Sequence, residues 1–168
     1  LADQGLDQLL VDRLGLDGAK QLNLTGWREV VSRLRNPKGI VNIAVFGEFA
    51  EHHDAYKSVY ESLRHAGVDE KNNVRVNIVR ICSSDLKRED VRVSLKGVDG
   101  ILTPGSFGEH DSEYVIEAVK IAREEKIPFF GIDLGMQCAI IEYARNVLNM
   151  KNANSTEFDP NTPEPVFH

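Results

Sequence analysis

Hydrophobic residues recur along this chain of 168 residues with two different periods. From residue 40 onwards, short apolar runs typical of buried strands alternate with longer stretches whose apolar residues recur every three or four positions, as on one face of a helix. The predicted strands cover residues 40–46, 74–81, 98–102 and 127–132. One predicted helix begins at Asp54 and ends at Gly67, a second begins at Asp111 or Ser112, and a third covers residues 134–148. This alternation predicts an α/β fold of three layers, with an open parallel sheet covered by helices on both faces. Ligands in such sheets bind beyond the carboxyl ends of the strands, where the loops Gly47–Asp54 and Thr103–Gly108 are expected to converge with Asp133.

The first 38 residues carry only helical patterns. Two apolar faces are expected, one made by Leu6, Leu9, Leu10 and Leu14 and the other by Trp27, Val30, Val31 and Leu34. Asn36-Pro37-Lys38-Gly39 then predicts a stop and a turn. We therefore predict a helical linker over residues 1–38 and an α/β domain over residues 39–168. Residues 149–168 hold three of the six prolines and show no periodicity, so they are predicted to be a loop or the start of a further element.

Composition narrows the class of protein. Hydrophobic residues make up 42% of the chain and charged residues 27%, which is typical of a soluble globular domain. The net charge of −6 argues against nucleic acid or an anionic membrane as the main partner. No apolar run approaches the roughly 18 residues that span a bilayer. Two cysteines, Cys82 and Cys138, make no disulfide framework, so a cytoplasmic location is predicted.

The most informative segment joins the last predicted strand to the last predicted helix. It reads Gly131-Ile132-Asp133-Leu134-Gly135. Glycines on both sides allow the central side chain to stand on a sharp, strained turn at the edge of a parallel sheet, above a helix N-terminus. Folds that use this position place a nucleophile there, usually serine or cysteine. Here the residue is Asp133.

The segment from Gly131 to Gln137 resembles the nucleophile motif of class I glutamine amidotransferases, with Asp133 where that family has cysteine. Further blocks resemble the CTP synthase family, in order and at compatible spacing. Residues 4–16 resemble the end of its synthetase domain and the linker that follows, and three blocks resemble its glutaminase domain, namely residues 54–59, 97–108 and 152–160. The last block is the most specific, because generic amidotransferases lack it. The resemblance covers nearly the whole chain and implies the class I glutamine amidotransferase fold.

The resemblance also implies roles for particular residues. Asp133 takes the catalytic nucleophile position, and Gly105, Ser106 and Phe107 form the loop that supplies an oxyanion donor. In that loop Ser106 replaces a glycine of the family. Glutamine is expected to contact Ser106, Leu134, Gln137 and Glu157. The family's catalytic His and Glu lie in a block that would follow residue 168, so we expect a glutaminase-like domain that is incomplete at its C-terminus.

Partners and cofactors follow from the same resemblance. The complete enzyme uses ATP and Mg to activate UTP and then adds ammonia from glutamine, in pyrimidine nucleotide biosynthesis. Its nucleotide sites lie in a synthetase domain that is absent from this chain, so no cofactor is expected here. The expected partners are glutamine, the synthetase domain and further copies of the enzyme, since the family forms tetramers.

Asp133 allows three interpretations: a nucleophile position that has lost its activity, an aspartate nucleophile of a hydrolase that forms an alkyl ester, and a structural helix cap. Attack of a carboxylate on an amide would give an anhydride, which is higher in energy than the amide. We therefore predict no glutamine hydrolysis, with a non-catalytic glutamine-binding or interaction module and an Asp133 hydrolase as alternatives.

Other reactive side chains are given structural roles. Cys138 is expected in the apolar face of its helix rather than as a substitute nucleophile. His52, His53 and His110 are expected to be ordinary loop residues, because no ligand set stands at metal-site spacing around them.

Overall fold

The computed structural model of the chain describes residues 2–16, 22–50, 54–87, 90–105 and 112–168. It divides into two compact units, residues 1–36 and residues 37–168. The first unit contains helix α1, Leu6–Leu14, and helix α2, Thr25–Arg35. A helix therefore forms in each of the two segments where the sequence predicts an apolar helical face. The role of this region as an interdomain linker stays a prediction. Within the described ranges, no helix is long and apolar enough to cross a membrane.

The second unit is built on a sheet of four parallel strands. They are β1, Gly39–Phe46; β2, Val74–Ile81; β3, Gly100–Thr103; and β4, Phe129–Gly131. Their order is β2-β1-β3-β4, with parallel pairing at each of the three contacts. The chain moves from β1 outward to β2 and then returns to the other side of β1, so the direction of strand succession reverses between β1 and β3.

Helices cover both faces of the sheet. They are α3, Lys57–Val68; α4, Val91–Ser94; α5, Ser112–Glu125; and α6, Leu134–Asn146. Side chains of β1 alternate between two cores: Val45 packs with Tyr60 of α3, whereas Ala44 and Phe46 belong to the larger cluster with α5 and α6. This alternation is the period of two that a strand buried on both faces requires. The predicted three-layer parallel α/β fold is confirmed.

Two predicted helix boundaries around α3 are wrong. Helix α3 begins at Lys57 with Tyr56 at the N-cap, so Asp54 is not its cap. Gly67 does not end the helix, which continues to Val68. A Cβ on Gly67 would lie 2.7 Å from the carbonyl oxygen of Val74. The glycine therefore allows α3 to pack closely on β2, which is a tertiary requirement rather than a capping signal.

The tail of the chain is more ordered than its composition predicts. Strand β5, Ala153–Ser155, pairs in parallel with β6, Glu164–Phe167, in a separate sheet of two strands. The prediction of a loop is wrong for these residues. Strands of three and four residues are too short to show a period, and their pairing depends on contacts distant in sequence, such as the hydrogen bond from the Thr156 N–H to the Phe167 carbonyl oxygen (3.1 Å).

Candidate functional site

The strand order reverses between β1 and β3, so a ligand crevice is expected beyond the carboxyl ends of these two strands. Open α/β sheets bind their ligands at such a point. Gly47 follows β1, and Pro104-Gly105 follows β3. A Cβ on Gly47 would lie 3.5 Å from Pro104 Cδ. The loops after β1 and β3 therefore contact each other at the edge of the sheet where the sequence predicts a site.

Asp133 connects β4 to α6 in an unusual backbone conformation. Its φ is 52° and its ψ is −109°, outside the regions that side-chain-bearing residues normally occupy. The turn is held from both sides. The Ile132 N–H donates to the Thr103 carbonyl oxygen (2.9 Å), and the Gln137 N–H donates to the Asp133 carbonyl oxygen (3.0 Å). A strained strand-to-helix turn of this kind is typical of a nucleophile elbow.

Glycine is required at positions 131 and 135, on either side of Asp133, for two different steric reasons. A Cβ on Gly131 would lie 2.3 Å from the carbonyl carbon of Gly135, inside the turn itself. A Cβ on Gly135 would lie 2.6 Å from the carbonyl oxygen of Thr103. The first turn of α6 thus packs directly on the end of β3, which brings the elbow to the crevice.

The Asp133 side chain is exposed and lies against Gly105. A Cβ on Gly105 would be 3.3 Å from both the Cβ and the Oδ2 of Asp133. Within the described ranges, no group donates a hydrogen bond to this carboxylate, and the Leu134 N–H makes no hydrogen bond either. Ser106 and Phe107 lie outside the described residues, so the structure places the predicted oxyanion loop only at Gly105.

Gln137 and Glu157 are close together. Gln137 Nε2 donates to Glu157 Oε2 at 3.2 Å. Gln137 Oε1 is buried and accepts no hydrogen bond from any described residue. Because Gln137 follows Asp133 by four residues, it lies on the same side of the first turns of α6. The structure thus groups Asp133, Leu134 and Gln137 on α6 and joins Glu157 to them, while their role in binding glutamine stays a prediction.

Arg145 anchors the segment that carries Glu157, a role that no sequence pattern indicates. Its Nε donates to the Ala153 carbonyl oxygen and its Nη1 to Glu113 Oε1, each at 2.7 Å. Two residues beyond β5, the Glu157 N–H donates to Ser155 Oγ at 3.2 Å. A basic residue in the last turn of a helix is common because its charge interacts favourably with the helix dipole, so an arginine at this position does not by itself indicate a further role. Only the fold shows that Arg145 also ties α6 to α5 and to β5.

A second ion pair joins the same two helices. The buried Glu142 carboxylate accepts hydrogen bonds from Arg123 Nη2 (2.7 Å) and Nε (3.1 Å), and from Asn146 Nδ2 (3.1 Å). The hydrogen bonds that Arg123 donates to the Glu142 carboxylate raise the pKa of Arg123. A buried carboxylate needs such complete pairing to be stable, so this pair has a structural role.

Cys138 lies in the apolar core, as predicted. Its side chain is fully buried, and its Sγ is 3.7 Å from the Ser112 carbonyl oxygen. Burial is the main cause that raises the pKa of the thiol to about 12, and the charge of Glu113 contributes to the rise. The charge of Arg145 acts in the opposite direction. The thiol is therefore protonated and inaccessible at neutral pH, which excludes it as a substitute nucleophile.

Metal binding has no support in the described part of the chain. No group of three or more His, Cys, Asp and Glu side chains is arranged there to hold an ion. His52, His53 and His110 lie outside the described residues, so the structure does not test the roles predicted for them.

Comparison with known proteins identifies the family of this chain. The sequence model of the family "Glutamine amidotransferase class-I" matches residues 51–159. Similar curated proteins include CTP synthases from Clostridium acetobutylicum and Caldanaerobacter subterraneus, each 49% identical over 167 residues, which are 99% of this chain and 31% and 30% of theirs. The CTP synthase of Aquifex aeolicus is 46% identical over 99% of this chain and 30% of its own length. The chain thus spans about a third of the length of these relatives.

A solved structure shares the fold. The glutaminase domain of Trypanosoma brucei CTPS, with bound acivicin, has a TM-score of 0.67 and 36% sequence identity. The match covers 74% of this chain and 48% of that one. Because the family match includes the greater part of the chain, from the loop after β1 to the segment of Glu157, the chain belongs to the class I glutamine amidotransferase family.

Proposed function

We propose that the chain is the glutaminase half of an enzyme that converts UTP to CTP, and that this half does not hydrolyse glutamine. Similarity to CTP synthases over 99% of the chain supports the first part. In this proposal a synthetase domain binds ATP, Mg and UTP, and the complete enzyme works in the cytoplasm as a homo-oligomer in pyrimidine nucleotide biosynthesis.

The observation that carries the second part is the Asp133 carboxylate on the elbow, directly against Gly105. A thiolate at that position would attack the amide carbon, and the amide nitrogen would take up a proton and leave as ammonia while a thioester forms. A carboxylate would instead have to expel ammonia and form a mixed anhydride, which is uphill from an amide. Its charge also lies beside the loop where an oxyanion would need stabilising donors. Both effects oppose turnover.

The amino-acid end of the proposed pocket offers hydrogen-bond acceptors. Glu157 supplies a carboxylate and Gln137 a buried Oε1 that no described residue hydrogen-bonds. Both groups are acceptors, and an α-ammonium group offers three donors. We therefore infer that the domain binds a free α-amino acid such as glutamine without reacting with it.

The test is CTP formation by the chain together with its synthetase domain, measured by chromatography with UTP, ATP and Mg present. Ammonium salts are expected to support CTP formation, and glutamine is expected not to. Glutamine-dependent CTP formation that Asp133→Ala abolishes would contradict the proposal.

A non-catalytic glutamine-binding module is the second candidate, and the Gln137–Glu157 pair favours it. It would show glutamine binding but no CTP formation with either nitrogen donor. A hydrolase with Asp133 as nucleophile is the third, favoured by the strained, exposed turn. Incubation with an alkyl halide and mass spectrometry distinguishes it, because only that function leaves an alkyl ester on Asp133.

A further inference from the structure

We propose that Asp133 changes the ligand preference of this pocket, so that it selects α-amino acids whose short side chain ends in an ammonium group over glutamine itself. The ligand class is an α-amino acid with three methylenes and a terminal ammonium, for which L-ornithine is the probe. The proposal rests on the amino-acid binding inferred above for Gln137 and Glu157.

The charge around Asp133 favours a cation over a carboxamide. The carboxylate is exposed, lies against Gly105, and receives no hydrogen bond from the described residues. A glutamine side chain would bring its carbonyl oxygen, an acceptor, towards this second acceptor. A terminal ammonium presents donors only, so every orientation of it can make a charge-assisted hydrogen bond with the carboxylate.

The size of the Asp133 side chain acts in the same direction. Beyond Cβ, aspartate has two more heavy atoms than cysteine, and here they fill space beside Gly105. A side chain of three methylenes and an ammonium reaches as far as the amide nitrogen of glutamine but lacks the carbonyl oxygen. It therefore has one heavy atom fewer where the carboxylate needs room. Lysine is one methylene too long, and 2,4-diaminobutyrate is one too short.

Two opposing effects limit the preference. The N-terminus of α6 carries a partial positive charge that disfavours a cation. In the proposed complex the full negative charge of the Asp133 carboxylate lies between this helix end and the ligand's terminal ammonium. The carboxylate is also exposed, so solvent and salt screen the pair. We therefore expect a preference for L-ornithine of about three- to tenfold rather than several orders of magnitude, and a smaller one at high salt.

The test is calorimetric titration of the protein with L-ornithine, L-glutamine, L-lysine and L-2,4-diaminobutyrate. L-ornithine is expected to bind most tightly. The isosteric, neutral Asp133→Asn variant is expected to bind L-glutamine at least as tightly as L-ornithine. As a matched control, Glu70→Gln removes an exposed carboxylate between α3 and β2, at the opposite edge of the sheet, and is expected to keep the wild-type preference.

Three results would overturn the inference: no binding of L-ornithine, equal or tighter binding of L-glutamine by the wild type, or a preference that survives in Asp133→Asn. The proposed function is tested separately, because glutamine-dependent CTP formation would contradict it whatever the ligand ratio. Glu157→Gln provides an internal check. It is expected to weaken both ligands by the same factor, because it acts on the α-ammonium group that they share.

Discussion

At the scale of single residues, Asp133 is the position where conformation and chemistry conflict. Its φ of 52° and ψ of −109° cost a residue with a side chain on the order of 1–3 kcal/mol. The surroundings enforce the conformation, because Gly131 and Gly135 allow close backbone packing around the turn and hydrogen bonds hold the backbone on both sides of Asp133. Strain of this kind is typical of positions where a fold must present a side chain, so the turn presents Asp133 in the way that a nucleophile elbow presents its central residue.

The strain predicts an inverted stability order at position 133. Asp133→Gly is expected to have a free energy of unfolding about 1 kcal/mol greater than Asp133→Ala, because glycine adopts positive φ without steric cost. At most positions alanine is the more stable of the two, since glycine loses more entropy on folding. Urea denaturation of both variants measures the difference. A more stable Asp133→Ala would show that the turn is not strained.

Cys138 predicts a pH dependence of stability. Its pKa is raised by burial from 9.0 to about 12, so the unfolded chain loses the thiol proton first as the pH rises. The stabilisation is complete below pH 9 and is lost as the pH approaches 12, with a slope of up to about 1.4 kcal/mol per pH unit. Wild type and Cys138→Ala should therefore converge in free energy of unfolding above pH 9. Parallel profiles would mean that the thiol is not buried.

At the scale of elements, the tail is attached to the helices through Arg145. Arg145→Met removes the hydrogen bond to the Ala153 carbonyl oxygen and the ion pair with Glu113. We expect amide hydrogens of residues 153–158 to exchange about tenfold faster, because a lost charged hydrogen bond is worth about 1.5–3 kcal/mol. Hydrogen exchange with mass spectrometry measures this.

The control for Arg145 is Arg92→Met. Arg92 also bridges two elements, α4 and α5, through Glu124 and Glu125, but it is exposed and distant from the tail in sequence. It is expected to leave exchange in residues 153–158 unchanged. Equally accelerated hydrogen exchange in both variants would indicate general destabilisation and would contradict the anchoring role of Arg145.

The elements differ in how far the sequence could predict them. Strand β2 matches its predicted range of 74–81 because alternation over eight residues is a strong signal. Asp54 does not mark the start of α3, because a residue type that can cap a helix predicts its start only when the following turn is helical. Strands β5 and β6 could not be predicted, because three and four residues are too few to show a period and their parallel pairing with each other leaves no local sequence signal.

At the scale of the whole molecule, the position of the site follows from strand order. The sequence predicts that the loops after residue 47, after residue 103 and at Asp133 reach one edge of the sheet. The order β2-β1-β3-β4 then decides that β1 and β3 are neighbours and that Gly105 meets Asp133. No local sequence pattern encodes this strand order. The contact between the Asp133 carboxylate and the loop at Gly105 therefore could not be predicted from the sequence.

The central claim is that this amidotransferase domain retains its elbow but does not hydrolyse glutamine. The most direct measurement is glutamate release from glutamine by the purified protein, followed with a coupled dehydrogenase, beside Asp133→Ala. We expect wild type and variant to be indistinguishable from the background without protein. Glutamate release by the wild type that Asp133→Ala abolishes would contradict the claim and make Asp133 a catalytic residue.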